Sequence, residues 1–195
     1  MILLARHGHV ENPQGVLYGN LPGFHLSATG RSQAAALGLR LRGFAMAGVY
    51  SSPLERAVET AAIATARTPV TVAALSDWEP DPSWVGVPWD QIPASHPEGW
   101  GRFMEAPWID GSRAARALRQ ISASHPGGTV VVFGHQDPLR AAMLSLRPTP
   151  TARLRDDPLP QCALRVLDPS TWRVVRQWDP PAASAWPAGA FRSAR

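Results

Sequence analysis

Arg6 and His7 follow directly on the apolar run Met1 to Ala5, Arg56 comes soon after the β-rich Gly48 to Ser51, and His135 follows Thr129 to Phe133 with only Gly134 between. Each run reads as a strand, so three strands end in guanidinium or imidazole side chains. In an open α/β sheet ligands bind beyond the carboxyl ends of the strands, and these four side chains are therefore expected to converge on one pocket. Arg presents a planar fork of donors matched to an oxyanion, while an imidazole can attack, donate or accept a proton near neutral pH. Such a set suits a phosphoryl group, whose transfer needs fixed donors around the charge on its oxygens.

The elements that must position these residues alternate short apolar runs with helical patterns, which predicts an α/β fold. We expect a three-layer sandwich with a mainly parallel central sheet flanked by helices, in one domain over 1–180. After the strand at Met1 to Ala5, the segment Gly8 to Leu26 contains Pro13, Gly15, Gly19, Pro22 and Gly23 and cannot be helix, so it reads as a ligand-wrapping loop. Ser27 is a helix N-cap, and Ala34, Leu37 and Leu41 mark the buried stripe of a helix ending near Gly43. Ser52-Pro53-Leu54-Glu55 reads as a capping box with Pro at the first helical position, starting a helix that runs to about Arg67 and carries Arg56 on its first turn.

A third strand is expected at Val70 to Val72. The Pro- and Trp-rich stretch 77–108 admits no long regular element and reads as a lid insertion. A helix over Arg113 to Ser124 leads to the continuous run Thr129 to Phe133, typical of a central parallel strand. Asp137-Pro138 predicts an N-cap and first-turn proline for a helix to about Leu146, with further strands at Ala163 to Leu167 and Arg173 to Gln177. The Pro-, Ala- and Gly-rich tail 181–195 has the composition expected of a disordered segment.

Composition narrows the classes of function. The 195 residues are 45% hydrophobic, enough for one substantial core, and all 19 basic residues are arginines. They are scattered with no run of five or six, so nucleic-acid binding is not expected. Cys162 is the single cysteine, which excludes an intrachain disulfide and a multi-cysteine metal site and fits a reducing cytoplasm. The apolar start is broken by Arg6, too early for a signal peptide or a membrane span. His9 and His25 have no partner at metal-ligand spacing, so no metal is expected. A monomer or homodimer is the expected assembly.

Arg6-His7-Gly8 after the first strand, Leu26-Ser27-Ala28-Thr29-Gly30-Arg31-Ser32-Gln33-Ala34, Ser51-Ser52-Pro53-Leu54-Glu55-Arg56-Ala57-Val58-Glu59-Thr60-Ala61 and Gly134-His135 follow one another in an order that resembles the histidine phosphatase, or phosphoglycerate mutase-like, superfamily. Each piece alone is a weak signal, and the likeness rests on their order across Ile2 to about Leu146. The resemblance implies that His7 is the nucleophile, partly exposed at its strand end, that Arg6 and Arg56 bind the phosphoryl oxygens, and that His135 donates to them in the transition state. It further implies a contact from Asn12, no cofactor or metal, and a small phosphorylated substrate. Gly8, Tyr18 and His25 are counted with the pocket lining, Tyr18 and His25 on one wall with the Gly19 to Phe24 loop.

The general acid departs from the family pattern. A carboxyl two residues after a Leu falls on Asp77 in Leu75-Ser76-Asp77, whereas counting back from Trp84-Val85-Gly86 lands between Asp77 and Glu79. Both stay candidates, with Asp77 nearer the strand end. Trp78, Trp84, Trp89, Trp100 and Trp108 crowd the insertion; they either pack a small satellite core or wall a bulky substrate, with Trp84 the candidate contact. The implied activity is a metal-independent phosphatase working through phosphohistidine. A phosphomutase, or a non-catalytic phosphate-binding or interaction module on the same fold, is the alternative.

Overall fold

A computed structural model of the chain describes residues 1–105, 110–147 and 158–180. Trp108 and the tail 181–195 lie outside the described residues. Six strands, β1 (Ile2–Arg6), β2 (Met46–Ser51), β3 (Val70–Thr71), β4 (Thr129–Gly134), β5 (Leu164–Leu167) and β6 (Val174–Trp178), form one sheet in the order β3-β2-β4-β1-β5-β6. The first four are mutually parallel, while β5 is antiparallel to both β1 and β6, so the sheet is mixed at one side.

Alternation along the central strands distributes their side chains between two cores. Ile2, Leu4, Val130 and Val132 face one way and pack with Ala114, Leu118, Leu139 and Met143 of helices α5 (Ser112–Ala123) and α6 (Gln136–Leu146). Leu3, Ala5, Val131 and Phe133 face the other way, against Ala34, Leu37, Ala61 and Ala64 of α1 (Ala28–Leu41) and α2 (Glu55–Thr65). The three layers expected from the alternating pattern are thus present. Both faces of β4 are covered, which accounts for its uninterrupted Val-Val-Val-Phe run.

Register brings the strand ends to one edge. Arg6 pairs with Gly134, and Ser51 pairs with Phe133. The ladder continues one residue further, His7 N donating to Gly134 O at 2.9 Å and Ser52 N to Phe133 O at 2.9 Å. Residues 6, 7, 52 and 134 are therefore fixed by the same backbone bonds that make the sheet, and His135 follows directly on the last of them.

Two helix starts differ from expectation. The capping box at Ser52 does not form: α2 begins at Glu55 behind Leu54, which supplies no side-chain cap. Ser52 Oγ instead lies 2.8 Å from His135 Nε2, and Glu55 accepts from Gly23 N at 3.2 Å. Helix α6 begins one residue before the expected cap Asp137, with His135 in the cap position and its ring turned into the site.

Residues 77–105 hold a 3-10 turn (Pro82–Trp84), α3 (Ile92–Ser95) and α4 (Pro97–Glu105), none longer than 9 residues, as the prolines there require. Their satellite core is Leu17, Trp84 and Ile92, packed against Trp78, Val87, Trp89, Trp100 and Phe103. Leu17 N to Val87 O, Gly86 N to Leu17 O and Trp89 N to Gly15 O stitch this segment to the loop that follows His7.

Candidate active site

Beyond the sheet edge the residues expected to converge do so. The His7 and His135 rings lie 5.2 Å apart between centroids. Arg56 Nη2 reaches Asp77 Oδ2 at 3.1 Å, and the same oxygen lies 3.4 Å from His135 Nδ1. Arg56 is fully buried at 0% exposure, its guanidinium stacked over Tyr18 at 4.8 Å and donating to Gly19 O at 2.8 Å. Arg6 is held by Gln136 Oε1 at 2.8 Å and Leu159 O at 2.9 Å, both through Nη1.

His7 is 2% exposed, not partly exposed as its strand-end position suggested, because the facing His135 ring and the backbone around Gly8 enclose it. Its Nδ1 can only donate to the Gly8 carbonyl, at 2.7 Å, which leaves Nε2 with the free lone pair. Burial first, then His135, Arg56 and Arg6, hold its pKa well below the ordinary imidazole value. The ring is thus neutral at neutral pH and nucleophilic at Nε2. Gly8 is needed for close approach: a Cβ there would stand 2.7 Å from Gly30 O, and one on Gly30 would stand 2.0 Å from His9 O. Thr60 ties the loop to α2, accepting from Gly8 N at 3.0 Å and donating to Arg56 O at 2.6 Å.

Arg6 Nε, Arg56 Nε, Arg56 Nη1 and His135 Nδ1 are buried without a hydrogen-bond partner in the protein. Each unmet buried donor costs about 1–3 kcal/mol, more when charged, so a fold keeps several in one place only for a ligand that meets them. The three guanidinium nitrogens are donors, and together with the imidazole nitrogen of His135 beside a neutral His7 they have the chemistry to meet a tetrahedral oxyanion.

The two candidate acids are now separated in space. Asp77 sits between Arg56 and His135, with Oδ1 accepting from Trp78 N at 3.0 Å, and burial raises its pKa against the opposing pull of Arg56. Glu79 is exposed and lines a neighbouring cavity of about 340 Å³ with Trp78, Asp110, Arg113, Ala114 and Pro138. Arg113 was not singled out by sequence, yet its guanidinium donates to Ser76 O at 2.9 Å, Asp77 O at 3.1 Å and Ala73 O at 3.4 Å, clamping the segment that bears Asp77.

The remaining lining candidates have other engagements. Asn12 bridges Val16 with both amide atoms, Nδ2 to Val16 O at 2.9 Å and Oδ1 from Val16 N at 3.1 Å, which is turn chemistry. His25 pairs with Glu59, which also takes Arg31 at 3.2 Å, so it anchors the loop to α2. Tyr18 stacks on Phe24 at 4.6 Å beneath Arg56. Trp84 is 4% exposed among Trp100, Phe103 and His96 and belongs to the satellite core, not to an open wall. Among the described residues no group of three or more His, Cys, Asp or Glu is placed to hold a metal ion, and no helix is long and apolar enough to cross a membrane.

Comparison with known proteins adds to this geometry. The model of the histidine phosphatase superfamily (branch 1) matches residues 2–179. An uncharacterised protein of Mycobacterium tuberculosis is 36% identical over 158 residues, covering 73% of this chain and 76% of that protein. Phosphoserine phosphatase 1 of Hydrogenobacter thermophilus is 31% identical over 159 residues, covering 74% of this chain and 75% of the relative. Among solved structures, YhfR of Bacillus stearothermophilus superposes with a TM-score of 0.76 at 26% identity, covering 89% of this chain and 94% of that one.

Proposed function

The chain belongs to the histidine phosphatase superfamily, and on that premise we propose that it hydrolyses a small phosphomonoester through a phosphohistidine on His7, with no metal ion taking part. The observation that carries this reading is the group of four buried, unpartnered nitrogens on Arg6, Arg56 and His135 beside a neutral His7 whose Nε2 is free to attack. In the first step the Nε2 lone pair attacks phosphorus, the P–O bond to the leaving group breaks, and the Asp77 carboxyl passes its proton to the departing oxygen. In the second, water attacks phosphorus, gives a proton back to Asp77, and the P–N bond breaks to release inorganic phosphate and neutral His7. The arginines and His135 meet the equatorial oxygens in both steps.

Turnover of p-nitrophenyl phosphate and a panel of alkyl phosphates in EDTA, with an alkali-stable, acid-labile phosphoenzyme trapped on rapid quenching, is the expected result. Phosphoserine belongs in that panel because the Hydrogenobacter relative is named for it. No turnover on any ester, or turnover that EDTA abolishes, would overturn the reading.

Asp77→Asn is expected to lower the single-turnover rate on an alkyl phosphate by about two orders of magnitude while leaving enzyme phosphorylation by p-nitrophenyl phosphate nearly unchanged, since a general acid matters when the leaving group is poor. Glu79→Gln is expected to behave as wild type on both. The reverse ranking would assign the acid to Glu79.

Arg113→Ala is expected to act through Asp77 by releasing the Ser76 and Asp77 carbonyls. Misplacement of a reacting group by a fraction of an ångström costs roughly tenfold or more, so kcat on alkyl phosphates should fall by about that factor while p-nitrophenyl phosphate is spared. An equal loss on both substrates would assign Arg113 a general structural role.

A further inference from the structure

His135 is neutral at neutral pH, because burial, then Arg56, Arg6 and Arg113, depress its pKa well below the ordinary value. A neutral imidazole has one N–H, and only the nitrogen that bears it can serve as a donor. Which nitrogen that is depends on what the other one meets. His135 Nε2 meets Ser52 Oγ at 2.8 Å, and Nδ1 faces the pocket, 3.4 Å from Asp77 Oδ2.

We propose that Ser52 is a positioning residue whose hydroxyl donates to His135 Nε2, locking the ring in the tautomer that carries its proton on Nδ1 and aims that proton at the bound phosphoryl group. Ser52 Oγ already accepts from Leu54 N at 3.3 Å, and the side chain is fully buried. Among the described residues, His135 Nε2 is the one acceptor within reach of its O–H. With the proton on Nε2 instead, Ser52 Oγ would accept twice and leave its own O–H unmet in a buried place. Moving the proton to Nδ1 removes that penalty.

The arrangement is the complement of that at His7. There the Gly8 carbonyl takes the Nδ1 proton and frees Nε2 to attack; here a hydroxyl occupies Nε2 and frees Nδ1–H to donate. Two neutral imidazoles 5.2 Å apart thus acquire opposite duties from one backbone carbonyl and one serine.

The inference rests on the phosphatase reading for its catalytic consequence, but its central claim is tested without turnover. Long-range 1H–15N correlation spectra of the free protein at neutral pH are expected to show a protonated Nδ1 and a bare Nε2 for His135. Ser52→Ala should populate the other tautomer and lower kcat/KM by about tenfold or more, the scale of a weakened transition-state donor, while Ser52→Thr, which keeps the hydroxyl, restores both. Melting temperatures of the two variants separate this from loss of fold. A bare Nδ1 in the wild type would overturn the proposal, as would a Ser52→Ala protein with wild-type kcat/KM, or one that loses activity with the tautomer unchanged. Failure of the wild type to turn over any phosphate ester would overturn the phosphatase reading alone, since the spectra still report the tautomer.

Discussion

His7→Ala is expected to abolish turnover on every phosphate ester and to leave no phosphoenzyme on rapid quenching. The reaction as argued has one nucleophile, and no other neutral nitrogen in the site has a free lone pair aimed at the pocket: His135 Nε2 is held by Ser52, and both arginines are cations. Loss of a covalent route should therefore take the rate to background. The His7 side chain makes a hydrogen bond to Gly8 O, worth about 1 kcal/mol net. Its removal also relieves crowding of polar groups at a site rich in positive charge, so the variant should stay folded by circular dichroism and melt within a few degrees of wild type. Because the ring is buried, His7→Asn is the useful companion: it fills more of the space and still cannot form phosphohistidine. Activity in either variant above about one hundredth of wild type would remove His7 from the nucleophile's role.

What the sequence disclosed, and what it did not, divides along contact range. The stripe Ala34, Leu37 and Leu41 is a local period, and α1 lies where that period put it, with Ser27 capping Gly30 N at 3.1 Å. The Val130 to Phe133 run records burial on two faces, and β4 is central. Strand-end placement of Arg6, His7, Arg56 and His135 follows from topology once three strands are parallel. Ser52 and Asp137 were misread because a capping motif is a local pattern, whereas the hydroxyl of Ser52 answers to a residue 83 positions away. The choice between Asp77 and Glu79 could not be made along the chain, since the two stand only two residues apart and the two counts toward them disagree; in space one carboxylate meets Arg56 and the other lines a neighbouring cavity. Arg113 on the Asp77 segment and Leu159 on Arg6 leave no local signature at all, being a side chain and a carbonyl brought in from distant parts of the chain. The Trp-rich cluster was open between packing and substrate wall; burial of Trp84 assigns that residue to packing.

Arg56→Ala is expected to lower kcat/KM by about three orders of magnitude, the upper scale for a preorganised transition-state donor, because this side chain supplies two of the four unpartnered nitrogens. Arg6 contributes one such nitrogen and is otherwise tied to Gln136 and Leu159, so Arg6→Ala should cost less, about a hundredfold. Arg56→Lys should recover little. An ammonium is a point charge without a planar fork, and it cannot hold Gly19 O and Asp77 while still presenting two directed N–H groups to an anion. The pH profile gives a second reading of the same variant. Arg56 opposes the rise that burial imposes on the Asp77 pKa, so removing the guanidinium should raise that pKa further. Leaving-group protonation needs the protonated carboxyl, and the fall of the single-turnover rate on an alkyl phosphate with rising pH should accordingly move to higher pH in Arg56→Ala. A loss smaller than about threefold would mean that the anion does not sit on Arg56. A large loss with an unshifted profile would keep the anion there but detach Asp77 from proton transfer, leaving a site suited to substrates whose leaving groups need no acid.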